Sequence, residues 1–179
     1  MSVAYGRTLD GRGHFDIEPG DTPEAPALRR VASPIEVSDA YLDATRTSSA
    51  VDAAAQLIGP NVEFNNSKIN SKQPGAATEV KFHQDFMFQP HSNEDLIAVL
   101  FFIDDVTPEN GPLEVVPSTH HDSTLPVHGP AGAACLMHTR LLHGSAPNRI
   151  RCSPYEMQYP EVPGEASFFA QQAKADGRS

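Results

Sequence analysis

Sixteen prolines and twelve glycines, scattered along the chain with no repeat, deny it any long uninterrupted element. Proline fixes φ and removes a backbone donor, and glycine marks turns, so the chain reads as many short segments joined by tight connections. That pattern favours a β-rich domain over a helical bundle. One apolar run survives the punctuation: Leu96-Ile97-Ala98-Val99-Leu100-Phe101-Phe102-Ile103. It has the length and residue types of a buried strand. The Gly111-Pro112 turn feeds a second such run, Leu113-Glu114-Val115-Val116. Val62 to Ile69 alternates as a strand, Asn70 to Gly75 is a turn, and a further strand carries His83 and Asp85. Ala131 to Leu142 reads as a strand or hairpin and Tyr155 to Tyr159 as the last strand, with a fraying tail from Pro160.

The exception is 34–59. There Ile35, Val37, Tyr41 and Leu42, then Ala50, Val51, Ala54, Leu57 and Ile58, recur at helical spacing. Two helices are predicted, with Ser33 or Ser38 and then Ser48 or Ser49 as N-caps and Gly59-Pro60 as the stop. Residues 1 to 34 are read as extended segments and loops, with room for one edge strand. The expectation is therefore a mainly β domain with flanking helices, an antiparallel sandwich or barrel.

At 179 residues the chain fits one domain and buries a real core. A formal charge of -10 argues against nucleic acid or an anionic membrane surface as partner, since both reward clustered Lys and Arg. No run approaches the length of apolar residues that a spanning helix requires, and Met1 to Arg7 lacks the apolar stretch of a signal peptide. A cytoplasmic location is the expectation, with no membrane partner. Cys135 and Cys152 lack C-x-x-C spacing and read as reduced thiols.

The chemistry concentrates in Lys81-Phe82-His83-Gln84-Asp85-Phe86. Side chains alternate along an extended chain, so His83 and Asp85 point to one side. His-x-Asp also occurs at His14/Asp16 and His120/Asp122, so the tripeptide alone says little. The middle copy is set apart by the strand signals that follow it. His143, in Leu142-His143-Gly144-Ser145, supplies a third ligand, and two His with one carboxylate form the facial triad of non-haem Fe(II) oxygenases. The same three residues also suit zinc, but no H-E-x-x-H motif accompanies them. His138 has the opposite parity and is read as a core or supporting residue rather than a ligand, while His91, His120, His121 and His128 are assigned to solvated loops. Phe86, Met87 and Phe88 are read as core or as pocket lining, and Asn65 and Asn66 as residues that face a bound small molecule.

Taken together, Lys72-Gln73-Pro74-Gly75, His83-Gln84-Asp85, the run from Asp104 through Asn110-Gly111-Pro112-Leu113 to His120, and Leu142-His143-Gly144-Ser145-Ala146-Pro147-Asn148-Arg149 resemble the phytanoyl-CoA dioxygenase family. The likeness covers residues 60 to about 160. It implies a double-stranded β-helix, the cupin-like jelly-roll, over 60–160, with N-terminal loops and helices over 1–59, a tail over 161–179, and all of 1–179 as a single domain. It also implies Fe(II), 2-oxoglutarate as cosubstrate, O2, and a small-molecule substrate hydroxylated at an unactivated C–H bond with release of succinate and CO2. By position His83, Asp85 and His143 are the metal ligands and the catalytic centre, Ser145 meets the distal carboxylate of 2-oxoglutarate, and Lys72 lies near that cosubstrate. Here the sequence departs from the family's pattern, whose arginine falls at Pro154; Arg151, which opens the last expected strand, takes that role if the loop is shortened, and Arg149 is the alternative, so the assignment stays open. A carboxylate at Asp85 favours hydroxylation, because the halogenating relatives carry Ala or Gly there. The segment between His120 and His143 is shorter than the family usually has, which leaves open whether the substrate lid is trimmed or part of it lies outside this sequence. The competing reading is a catalytically degenerate jelly-roll that binds a ligand without turnover.

Overall fold

The apolar run singled out in the sequence becomes a strand buried on both faces, and the other elements are layered around it. This computed structural model describes residues 7–8, 13–75, 78–117, 123–150 and 164–172. The N-terminal strands are β1 (Arg7–Thr8), β2 (Phe15–Ile17) and β3 (Leu28–Ala32). Helices α1 (Pro34–Val37), α2 (Asp39–Thr47) and α3 (Ser49–Ile58) follow. Next come β4 (Val62–Ser71), β5 (Val80–His83), β6 (Leu96–Phe102) and β7 (Leu113–Val115). The remaining strands are β8 (Leu125–Val127), β9 (Ala134–His138), β10 (His143–Ser145) and β11 (Gly164–Gln172). They form a seven-stranded sheet in the order β1-β2-β3-β4-β11-β6-β9 and a four-stranded sheet in the order β5-β10-β7-β8. All pairings are antiparallel except β1 with β2, as a mainly β jelly-roll requires.

Period-two alternation explains why β6 has no polar residue. Leu96, Ala98, Leu100 and Phe102 pack with Val106, Leu113 and Met137 in the core between the two sheets. Ile97 and Val99 point the other way, against Ala50 and Ala54 of α3. Burying each large aliphatic side chain contributes about 1.5–3 kcal/mol, so this strand anchors three layers at once.

Three expectations need correction. The helical stretch holds three helices rather than two, because extended Ser38 (φ -158°, ψ 134°) separates the first pair; its hydroxyl then accepts from the Ala40 N–H at 3.4 Å. Gly59, at φ 101°, ends α3 where the glycine stop was expected. The N-terminal segment contributes β1, β2 and β3, not a single edge strand. Nor is the stretch after Pro160 a frayed tail: β11 runs through the middle of the larger sheet, paired with β4 on one side and β6 on the other. Its sequence lacks clean alternation, but a strand flanked on both edges satisfies its backbone groups through distant partners that local patterning does not reveal. The strand expected at Tyr155 to Tyr159 lies outside the described residues.

Leu96 is 1% exposed, so Leu96→Ala removes methyl groups from the inter-sheet core without access to water. Urea denaturation is expected to show a loss of about 2–5 kcal/mol.

Candidate metal centre and adjoining cavity

β5 ends on His83 and β10 begins on His143, and the antiparallel register sets these two residues directly opposite each other. Their ring centroids are 4.4 Å apart. Two histidines distant in sequence thus meet on one rung of a ladder. After His83 the backbone stays extended through Gln84 (φ -116°, ψ 125°), which preserves the alternation. Asp85 then opens a 3-10 turn, Asp85–Met87. Its carboxylate returns to the His83 side: Oδ1 lies 3.4 Å from His83 Nε2 and Oδ2 lies 3.5 Å from His143 Nε2. Those separations are long for hydrogen bonds. They are close to what a shared ion imposes, since two ligands about 2.1 Å from one metal at right angles stand about 3.0 Å apart.

The tautomers follow from the outer contacts. His83 Nδ1 is 2.7 Å from the Lys81 carbonyl and His143 Nδ1 is 2.8 Å from the Leu141 carbonyl. A carbonyl only accepts, so each ring donates Nδ1–H and keeps a lone pair on Nε2 facing Asp85. One ligand atom from each of the three residues lies within 4.8 Å of the others. Burial holds the His143 pKa below the usual imidazole range, with the charges of His83 and Lys68 acting in the same direction; the Leu141 hydrogen bond and Asp85 oppose it. The net effect favours the neutral ring that a metal needs.

The carboxylate turn is tied to the connection that delivers His143. The Phe86 N–H donates to the Thr139 carbonyl at 3.0 Å, and Gln84 Nε2 donates to the Arg140 carbonyl at 2.7 Å. The Arg140 guanidinium lies 4.4 Å from the centre of the Phe86 ring and pairs with Glu94 at 2.6 Å. Gly144 is required by closeness: a Cβ there would stand 2.8 Å from the Val80 carbonyl and 3.0 Å from the Phe82 ring.

The ligands open onto a cavity of about 390 Å3. Ser145, buried two residues beyond His143, lines it as the alternation of β10 dictates. Lys68, with Asn66 and Asn70 on the same face of β4, forms another wall, and Leu100, Leu113 and Met137 supply apolar surface. Sequence reading passed over Lys68 and Asn70. Alternation puts Asn66, Lys68 and Asn70 on one face of β4, but Asn65, Ser67 and Ser71 on the other parity are polar too, so the pattern does not single them out. Asn66 lines the cavity as expected, whereas Asn65 turns to His91, with Nδ2 3.3 Å from Nε2.

Lys72 is placed differently from the expectation. It is 7% exposed, and its Nζ donates to the carbonyls of Gly111 at 2.8 Å and Ala146 at 2.7 Å. Asn148 Nδ2 donates back to the Lys72 carbonyl at 2.9 Å. The lysine therefore clasps three loops together and does not line the metal cavity. Gly111 belongs to the same clasp: its φ of 79° and the Ala146 carbonyl pressed against it leave no room for a side chain.

Arg149 is exposed and lines no described cavity; its backbone N–H donates to the Glu109 carbonyl at 2.9 Å. Arg151 lies outside the described residues, as do His120 and His121. His128 is exposed, and so is His138, whose Nε2 sits 2.8 Å from the Glu94 carbonyl. Met87 and Phe88 are exposed beyond Asp85 rather than core, and Phe88 presents an edge to His83 at 5.6 Å. No helix among the described residues is long and apolar enough to cross a membrane.

A jelly-roll that presents two imidazoles and a carboxylate on one face of a cavity defines the class of mononuclear 2-His-1-carboxylate proteins. The sequence profile of the phytanoyl-CoA dioxygenase (PhyH) family matches residues 16–152, and the chain belongs to that family. It is 32% identical over 163 residues to a probable alpha-ketoglutarate-dependent hypophosphite dioxygenase of Stutzerimonas stutzeri, covering 75% of this chain and 56% of that protein. It is 40% identical over 80 residues to L-proline trans-4-hydroxylase of Streptomyces griseoviridis, covering 42% of this chain and 30% of the hydroxylase. The chain thus spans about half or less of the length of these relatives. In fold it is similar to EctD from S. alaskensis, solved with bound Fe, at a TM-score of 0.71 and 19% identity, over 85% of this chain and 59% of that one.

Two outcomes test this arrangement. His83→Ala and His143→Ala are each expected to weaken Fe(II) binding at least tenfold, read by anaerobic calorimetry, since losing a ligand costs no less than losing its supporting hydrogen bond. Lys72→Met strands two carbonyls and is expected to lower stability to urea by about 1–3 kcal/mol for each, while leaving Fe(II) affinity within about twofold of wild type.

Proposed function

We propose that the chain is an Fe(II)- and 2-oxoglutarate-dependent dioxygenase that hydroxylates, or otherwise oxidises, an unactivated C–H bond of a small molecule, with release of succinate and CO2. The observation that carries this reading is the triad itself: His83, Asp85 and His143 place three ligand atoms within 4.8 Å, with both imidazoles set as Nε2 ligands by carbonyls behind them. The donor set fits Fe(II), with a whole face left to the cosubstrate and O2. Bound there, iron with 2-oxoglutarate and O2 supplies the oxidising power for C–H cleavage.

The chain's own residues do the rest. Asp85 offsets one of the two positive charges of the ion, and the imidazoles offset none. Lys68, whose charge is felt at His143, adds a further positive charge on the cavity wall. The resulting excess suits a dicarboxylate. Ser145 is positioned to donate to the distal carboxylate of 2-oxoglutarate, and Arg151 is our candidate for the bidentate clamp on it. Lys72, with its ammonium committed to two carbonyls, holds the loops around the site in our reading. Leu100, Leu113 and Met137 keep water from that side of the reaction.

The two relatives are named for small polar substrates, hypophosphite and L-proline, and a small molecule is the substrate class that suits a cavity of this size. The cytoplasm is the compartment we assign, in keeping with two cysteines, too few for a disulfide framework and without C-x-x-C spacing.

Purified protein loaded anaerobically with Fe(II) and then exposed to O2 is expected to form succinate from 2-oxoglutarate. His83→Ala is expected to form none, and Arg151→Ala to require at least tenfold more 2-oxoglutarate for the same rate, as loss of a charged bidentate pair implies. Absence of both turnover and 2-oxoglutarate binding in the wild-type protein would leave the degenerate, binding-only jelly-roll.

A further inference from the structure

A second chamber, of about 490 Å3, adjoins the metal cavity, and His83, Arg30 and Phe88 belong to the walls of both. Among the described residues that line it stand four cationic side chains, Arg29, Arg30, Lys72 and Lys81, against a single carboxylate, Glu79. In a chain of net charge -10 this is a local reversal of sign. The two arginines are held in place from behind. Asp16, 1% exposed, pairs with Arg30 and lies 3.9 Å from Arg29. Glu18, outside the lining, accepts from Thr78 and faces Arg29.

Two donors on this wall have no hydrogen-bond partner among the described residues: Arg30 Nε and Ser71 Oγ, both buried atoms. Ser71 itself is 6% exposed. They come from adjacent strands, for Arg30 pairs with Asn70 across β3 and β4 and Ser71 is the next residue. A buried donor left unpaired costs about 1–3 kcal/mol, and two on the wall of one charged chamber are accounted for by a ligand that accepts from them.

We propose that this chamber binds an oxyanion group, such as a carboxylate or a phosphorus oxyacid, carried by the primary substrate. The group accepts from Ser71 Oγ and Arg30 Nε, and Arg29 and Lys81 neutralise it. The rest of the substrate passes Phe88 and His83, so that the C–H bond to be oxidised reaches the metal. The inference rests on the oxygenase reading for the direction of the substrate, and it assigns the cosubstrate to the other cavity, with Ser145 and Lys68. Lys72 contributes its charge here, its Nζ being bonded to two carbonyls.

The test uses the whole chain, free of metal so that no anion is captured by iron, titrated calorimetrically with inorganic phosphate and separately with acetate. Arg30 is left intact, because its removal strands buried Asp16; Ser71→Ala and Lys81→Gln are the variants. Wild type is expected to bind at least one of the two anions, and each variant to bind it about three- to tenfold more weakly, the loss of one hydrogen bond or one ionic contact. A parallel titration of the Fe(II)-loaded proteins with 2-oxoglutarate is expected to show affinities within about twofold of one another. Failure of wild type to bind either anion, or variants that bind as wild type does, would overturn the assignment. Variants weakened toward 2-oxoglutarate would overturn it too, by showing that the chamber serves the cosubstrate. Loss of 2-oxoglutarate binding in wild type, with anion binding intact, would instead remove the oxygenase reading and leave the anion site standing.

Discussion

Everything chemical in this molecule depends on one strand pairing, that of β5 with β10. Directly opposed residues of an antiparallel pair have Cβ atoms about 4.5–5.5 Å apart, so the register alone brings the His83 and His143 rings within reach of one ion. A slip of one residue would send one of the two rings to the other face of the sheet. Several features defend the register. Gly144 permits the close approach of Val80 and Phe82, β7 pairs with the far edge of β10, and the Asp85 turn is bonded to Thr139 and Arg140 just ahead of His143. The metal centre is thus a property of backbone geometry first and of side chains second.

How legible this was in the sequence differs by kind of residue. The triad was readable because its chemistry admits few residue types and because an extended chain fixes the relation of His83 to Asp85; Ser145 followed from the same alternation two residues past His143. β6 was readable because burial on both faces forbids polar residues. Lys68 and Asn70 were not, since a polar strand facing an internal cavity carries the same pattern as one facing solvent. Lys72 was the right residue type for a cosubstrate contact, but its partners are carbonyls 39 and 74 residues away, and nothing in local spacing records them. β11 escaped for a related reason, because its pairing on both edges is supplied by β4 and β6, far back in the chain.

The two chambers divide the electrostatic work. One sets the candidate metal ligands and Lys68 against apolar walls, where charges are poorly screened. The other gathers Arg29 and Lys81 near the surface, where an acidic protein otherwise repels anions. His83 belongs to the walls of both, a candidate ligand on one side and a boundary on the other.

The position of β11 bears on how such a protein comes into being. A chain emerging from the ribosome carries β4 and β6 long before residues 164–172 arrive, and those two strands have no ladder between them until then. Their facing edges stay open to other chains throughout that interval. Closing the larger sheet is a late, long-range event of the kind that folds slowly, so the growing polypeptide depends on keeping two unpaired strand edges, one of them on the wholly apolar β6, apart from their neighbours until the keystone strand slides in.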